Sequence, residues 1–156
     1  MLKALCLAAL VMLTVPVARA LANDPFVGKW KLDVRQSRYP ARACPKTMEI
    51  EMRPSEGGVW YHSDARYGNG GEIHAQYTAG YDGKEVLVSG TRGLLLPVRL
   101  NRVSAHVVVA TYSRGMQVVA TSKRVVSPDG RRMTITTTSV DASGKRSVTL
   151  GMYRKE

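Results

Sequence analysis

No segment beyond residue 22 repeats its apolar residues at helical spacing, which excludes a helical bundle or an α/β fold for the body of the chain. Cysteine is scarce: there are two, Cys6 and Cys44, and the first falls in the leader described below. With Cys44 alone in the remainder, no internal disulfide can form, and stability must come from a core and a strand ladder. Acidic residues are few, 12 against 23 lysines and arginines. Also missing are a nucleophile motif, a Cys, His or carboxylate cluster with metal-ligand spacing, and basic residues interleaved with aromatics in a nucleic-acid-binding pattern. The sequence therefore points to no cofactor, no metal, no nucleic acid and no catalytic constellation.

What is present begins with a leader. Met1-Leu2-Lys3 supplies a positive start, Ala4 to Val17 is almost wholly apolar, and Ala18-Arg19-Ala20 and Ala20-Leu21-Ala22 are small-residue cleavage sites. That order is the pattern of a secretory signal. Pro16 and Arg19 cut the run short of the roughly 20 residues a membrane span requires. The expectation is a signal peptide over 1–22, removed on export to the periplasm or beyond, and one domain over 23–156 with no membrane anchor. Losing Lys3 and Arg19 takes the basic count from 23 to 21 against 12 acidic residues, a formal +9. A field of that sign attracts anionic partners, although the basic residues are scattered rather than blocked.

The mature chain opens on Phe26-Val27-Gly28-Lys29-Trp30-Lys31-Leu32-Asp33-Val34. Phe26, Gly28, Trp30, Leu32 and Val34 fall on one side at period two, and Lys29, Lys31 and Asp33 on the other, as in a half-buried strand. Nine further strand-like runs follow: 46–53, 58–67, 72–79, 85–89, 97–103, 106–113, 116–126, 132–140 and 146–154. Turn residues such as Ser55-Glu56-Gly57, Asp82-Gly83, Arg114-Gly115 and Asp129-Gly130 separate them. Residues 35–45, with two prolines and no apolar period, read as a loop. A meander of hairpins leaves two exposed edges unless it closes on itself. The expected fold is therefore all-β: an antiparallel up-and-down meander of about 8–10 strands closed into a barrel, the first strand pairing with the last. A two-sheet sandwich is the alternative.

Phe26 to Leu32, with its Gly-x-Trp at Gly28-Lys29-Trp30, resembles the opening strand of the lipocalin and fatty-acid-binding protein (calycin) superfamily, and Thr149-Leu150-Gly151-Met152-Tyr153 resembles the last strand of its fatty-acid-binding branch. Trp-Lys-Leu at Trp30, Tyr-Asp-Gly-Lys at Tyr81 and the Val-Ser-x-Asp-Gly-Arg-x-Met-Thr run at Val126 are also similar to small exported bacterial proteins, a likeness that implies export and no particular activity. The superfamily resemblance implies a ligand-binding barrel. It also implies departures: segment 35–45 is too short for the two-helix lid, and Gly151 stands where that branch places a carboxylate-binding arginine. Packing of a late arginine across the first-strand tryptophan is left open between Arg154 and Arg146.

Strand parity supplies the candidate site. It turns Val59, Tyr61, Ser63 and Ala65 to the side of Met48, Ile50 and Met52, and places Tyr153 with Met133 and Ile135. Trp30, Tyr61, Ser63, Ile135 and Tyr153 are thus candidate cavity residues for a small apolar or amphipathic ligand, core packing being the other reading of Tyr61 and Tyr153. The alternative function is a non-enzymatic interaction module whose basic exterior, represented by Lys29 and Lys31, docks on an anionic envelope component. Pairing Tyr67 with Glu72 sends His74 to the face opposite His62 and Asp64, which argues against a histidine metal site. It also leaves Ile73 and Tyr77 facing out, a conflict that a bulge or a polar interior would resolve. Oligomeric state is not indicated.

Overall fold

The computed structural model describes residues 24–40, 43–91, 93–94 and 96–156; the expected leader lies outside them. Twelve antiparallel strands form a single sheet among the described residues. They are β1 (Gly28–Leu32), β2 (Thr47–Ser55), β3 (Gly58–Arg66), β4 (Glu72–Gly80), β5 (Asp82–Val86), β6 (Ser89–Gly90), β7 (Gly93–Leu94), β8 (Val98–Ser104), β9 (Val107–Arg114), β10 (Gln117–Val126), β11 (Arg132–Val140) and β12 (Arg146–Lys155). No helix among the described residues is long and apolar enough to cross a membrane.

The sheet runs β5-β8-β9-β10-β11-β12-β1-β2-β3-β4-β6-β7, so most neighbours in space are neighbours in sequence. Of the three that are not, one curls the sheet into a barrel: β1 pairs with β12, Trp30 opposite Lys155 and Leu32 opposite Tyr153. The ring is not closed by backbone hydrogen bonds all round. β4 and β5 follow one another in sequence, yet each pairs elsewhere, β5 with β8 and β4 with the small β6–β7 hairpin. Buried Val88 lies between β5 and β6, at the seam.

Alternation works as the residue pattern requires. Met133 faces Tyr153 and Ile135 faces Gly151 across β11 and β12, as parity demands. In β3–β4 the structure departs from the expected register. Arg66, not Tyr67, pairs with Glu72, and Tyr67 to Gly71 form the turn, closed by Tyr67 N donating to Gly71 O at 2.9 Å. One residue of slip turns a whole strand over. Tyr77 and Ala79 are therefore buried, and His74 faces outward opposite Asp64. Neither a bulge nor a polar interior is needed.

One end of the barrel is packed solid. Phe26, Trp30, Met52, Val59, Leu100, Val108, Val126 and Met133 are each at most 2% exposed. The Trp30 indole donates to Phe26 O at 2.9 Å. Asp24, ion-paired with Arg102, accepts from Phe26 N and ties the entering chain beneath this floor. The residue across Trp30 is neither Arg154 nor Arg146. Lys155 holds its ammonium 5.0 Å from the indole ring centre, while Arg154 reaches out to Asp33 at 2.8 Å.

Candidate functional site

Above this floor the interior is hollow. A cavity of about 320 Å³ is bounded by Tyr39, Tyr61, Tyr67, Tyr112 and Tyr153 together with Ser122, Arg124, Ile135 and Thr137. An adjoining cavity of about 380 Å³ shares Tyr61 and Tyr112 and adds Ser63, Tyr77 and Val88. Of the chain's seven tyrosines only Tyr81 lines neither. Tyr61 and Tyr77, paired across β3 and β4, stack at 4.7 Å between ring centres.

The alternation of β10 puts Ser122, Arg124 and Val126 on the inner face, and Arg124 is 3% exposed. Its guanidinium donates to the Tyr77 hydroxyl at 2.8 Å and the Tyr112 hydroxyl at 3.3 Å, and lies 4.8 Å from the Tyr61 ring centre. It forms no ion pair, and its Nε has no hydrogen-bond partner among the described residues. Burial disfavours the charge, but the tyrosines around it favour it more, and its pKa is raised. An arginine keeps its proton at any ordinary pH. Burial likewise raises the pKa values of Tyr61, Tyr77 and Tyr153, so their hydroxyls remain intact donors. The same wall carries hydroxyls beside Arg124, Ser122 Oγ lying 2.5 Å from Thr137 Oγ1 across β10 and β11. The arrangement is an aromatic chamber with one positive charge that has unspent hydrogen-bonding capacity.

Tyr39 arrives from the loop after β1 and fills the space where an arginine on β12 would project. A Cβ on Gly151 would come within 3.0 Å of the Tyr39 hydroxyl and 2.8 Å of the Tyr153 ring. The charge of the chamber sits on β10 instead.

Four of the five expected cavity residues line this interior: Tyr61, Ser63, Ile135 and Tyr153. Trp30 does not; it belongs to the packed floor, at 0% exposure. Arg124, Tyr77, Tyr112 and Tyr39 complete the site and were absent from the expectation. The parity of β10, counted back from buried Val126, was the signal that pointed to Arg124. Lys29 and Lys31 do face outward, but Lys31 lies 3.9 Å from Glu49 and 3.7 Å from Glu156, which offsets its charge.

The corrected β3–β4 register also gathers an outer cluster. Asp64 accepts from His62 Nε2 at 2.9 Å and pairs with His74 Nδ1 through its other oxygen. His74 holds its pKa down first, with His62 adding to the effect. No group of three or more His, Cys, Asp or Glu side chains among the described residues is arranged to hold a metal ion.

No family model and no curated protein sequence matches the chain. Solved structures do. A zebrafish ileal bile acid-binding protein complexed with cholic acid superposes with a TM-score of 0.57 at 14% identity, over 85% of this chain and 99% of that one. The fold is that of the fatty-acid-binding proteins. A Schistosoma mansoni fatty acid binding protein in complex with arachidonic acid gives 0.59 at 15% identity, over 85% and 96% of the two chains. As expected from the opening and closing strands, this fatty-acid-binding fold keeps the β1–β12 closure, and the segment 33–40 that follows β1 delivers Tyr39.

Proposed function

We propose that the protein is an exported carrier of a small amphipathic molecule, held in the barrel with its apolar body among the tyrosines and a single anionic group on Arg124. The observation that carries this reading is the guanidinium itself: buried, without a carboxylate partner among the described residues, and on a side chain that lines the cavity. Desolvating such a charge is unfavourable by several kcal/mol unless something pairs with it, and an anionic ligand supplies the pair. The volumes fall in the usual range for small-molecule sites, about 300–1,000 Å³. The two similar structures hold cholic acid and arachidonic acid, both carboxylic acids with large apolar bodies. The signal-like first 22 residues support release into the periplasm or the medium. The role is binding rather than catalysis.

Titration with anilinonaphthalene sulfonate, an anionic hydrophobic fluorophore, tests the reading. Arg124→Met should weaken binding about tenfold or more, the worth of a hydrogen bond to a charged group, whereas a neutral naphthalene probe should be far less affected. Equal sulfonate affinity in a folded Arg124→Met protein would remove Arg124 from the site.

A further inference from the structure

The interior divides its side chains unevenly between its two ends. Bulky aliphatic and thioether groups pack against one another in the floor, where Met52, Val59, Leu100, Val108, Val126 and Met133 are fully buried. The single phenylalanine, Phe26, lies there too. The hollow end is built from tyrosine instead, six of the seven lining it. Around the cavity that holds Arg124, eight of the fourteen described residues carry a hydroxyl, against three long aliphatic or thioether side chains, Met48, Leu96 and Ile135. A tyrosine in place of a phenylalanine brings a hydroxyl that must be hydrogen-bonded or desolvated at a penalty. An alkyl tail offers that hydroxyl nothing.

The partners these hydroxyls have leave capacity over. An arginine only donates, so the Tyr77 and Tyr112 oxygens accept from Arg124, at 2.8 and 3.3 Å, and each keeps its own O–H to give. Tyr153 donates at 3.2 Å to the sulfur of Met48, a weak acceptor. Where Ser122 and Thr137 meet, one hydroxyl donates to the other, which retains a hydrogen of its own. No carboxylate lines either cavity among the described residues. The wall around Arg124 is rich in donors and aromatic rings and poor in acceptors.

We propose that the ligand is an oxygenated aromatic acid, an inference that rests on the reading of Arg124 as the partner of the anionic group. Its carboxylate meets Arg124, its planar rings lie among the tyrosines, and its hydroxyl or ether oxygens accept from their O–H groups. Each aromatic pair contributes about a two- to tenfold gain in affinity beyond the area buried, the kind of contact that Tyr61 and Tyr77 already make with one another at 4.7 Å. Each ring oxygen that accepts from a tyrosine restores a hydrogen bond lost when water leaves. A long alkyl chain would find few aliphatic neighbours here and would bury hydroxyls without partners.

Displacement of the sulfonate fluorophore by three carboxylates of equal carbon number, 2-naphthoate, 6-hydroxy-2-naphthoate and undecanoate, tests this. Undecanoate has the largest apolar surface, so a merely apolar cavity would hold it best. The hydroxynaphthoate should instead bind about tenfold more tightly than undecanoate, with naphthoate between them. Tyr67→Phe combined with Tyr112→Phe keeps both rings and removes two hydroxyls. In that folded variant the advantage of the hydroxynaphthoate should shrink about fivefold or more. Undecanoate binding as tightly as the hydroxynaphthoate would overturn the proposal and leave the Arg124-dependent carrier standing. So would an aromatic preference that the double variant leaves unchanged, because the hydroxyls would then not be its cause. Sulfonate binding that is absent, or indifferent to Arg124→Met, would instead remove the reading on which the ligand class rests.

Discussion

Arg124 occupies a place where almost any apolar residue would pack with less penalty. Replacing a buried charge with a hydrophobe of similar volume is often neutral or stabilising. Arg124→Met should therefore melt no lower than the parent by chemical denaturation, even as it loses the anionic probe. A marked loss of stability would assign the arginine to structure instead of binding. Trp30 presents the opposite case. It is fully buried, lines no cavity, and seals the β1–β12 junction. Trp30→Ala should cost about 3–5 kcal/mol, measured by denaturant unfolding, whether or not ligand is present. The contrast was half legible in the sequence: Trp30 announced itself by its alternating strand and the parity of β10 turns Arg124 inward, but no local feature says that Arg124 meets tyrosines and a cavity there.

At the level of the element, the β3–β4 hairpin decides the most. Its turn, Tyr67-Gly68-Asn69-Gly70-Gly71, is compatible with more than one closing pair, because glycines accept the backbone angles of several turn types. Pairing Arg66 with Glu72 sets Tyr77 into the chamber and His74 beside Asp64. The bond from His74, with that from His62, depresses the folded pKa of Asp64 below its ordinary value. A depressed carboxylate contributes stability that is present above its unfolded pKa of about 3.9 and is lost as the pH falls through the folded value. Asp64→Asn should thus lower the melting temperature slightly at neutral pH, and the two curves should converge once the pH has fallen through the depressed folded value. A difference that persists in acid would show that the carboxylate charge is not what matters. The Asp24–Arg102 pair under the floor is less exposed but not fully buried, so losing one partner costs less than the roughly 3–5 kcal/mol typical of a buried pair. Asp24→Ala should destabilise more than Asp64→Asn in the same unfolding measurement, and by less than that range.

For the whole molecule, the interior is a single tyrosine-lined environment. Burial raises the pKa values of Tyr61, Tyr77 and Tyr153 above 10. Groups raised in this way stabilise fully below their unfolded pKa of about 10, and that contribution is lost progressively as the pH climbs toward the folded values. Ultraviolet titration should show phenolate appearing late and together with unfolding, while the denatured chain titrates near pH 10. Early, reversible ionisation of most tyrosines in the folded protein would mean that the chamber is open to bulk water.

The residue pattern alone determined that this chain is a meander of amphipathic strands, where most of the turns fall, and that its first strand meets its last, because period-two alternation and glycine-marked turns are local properties. It also determined that Tyr61, Ser63, Ile135 and Tyr153 look inward, since parity carries along a strand once one register is known. Tertiary structure decided three other matters: the closing pair of the β3–β4 turn, the placing of Trp30 in a packed floor with the chamber above it, and the meeting of Arg124 with Tyr77 and Tyr112. Each depends on contacts between residues far apart in sequence, 47 positions for Arg124 and Tyr77. A strand's own alternation says which way a side chain points, but only the curl of the sheet decides what it finds there.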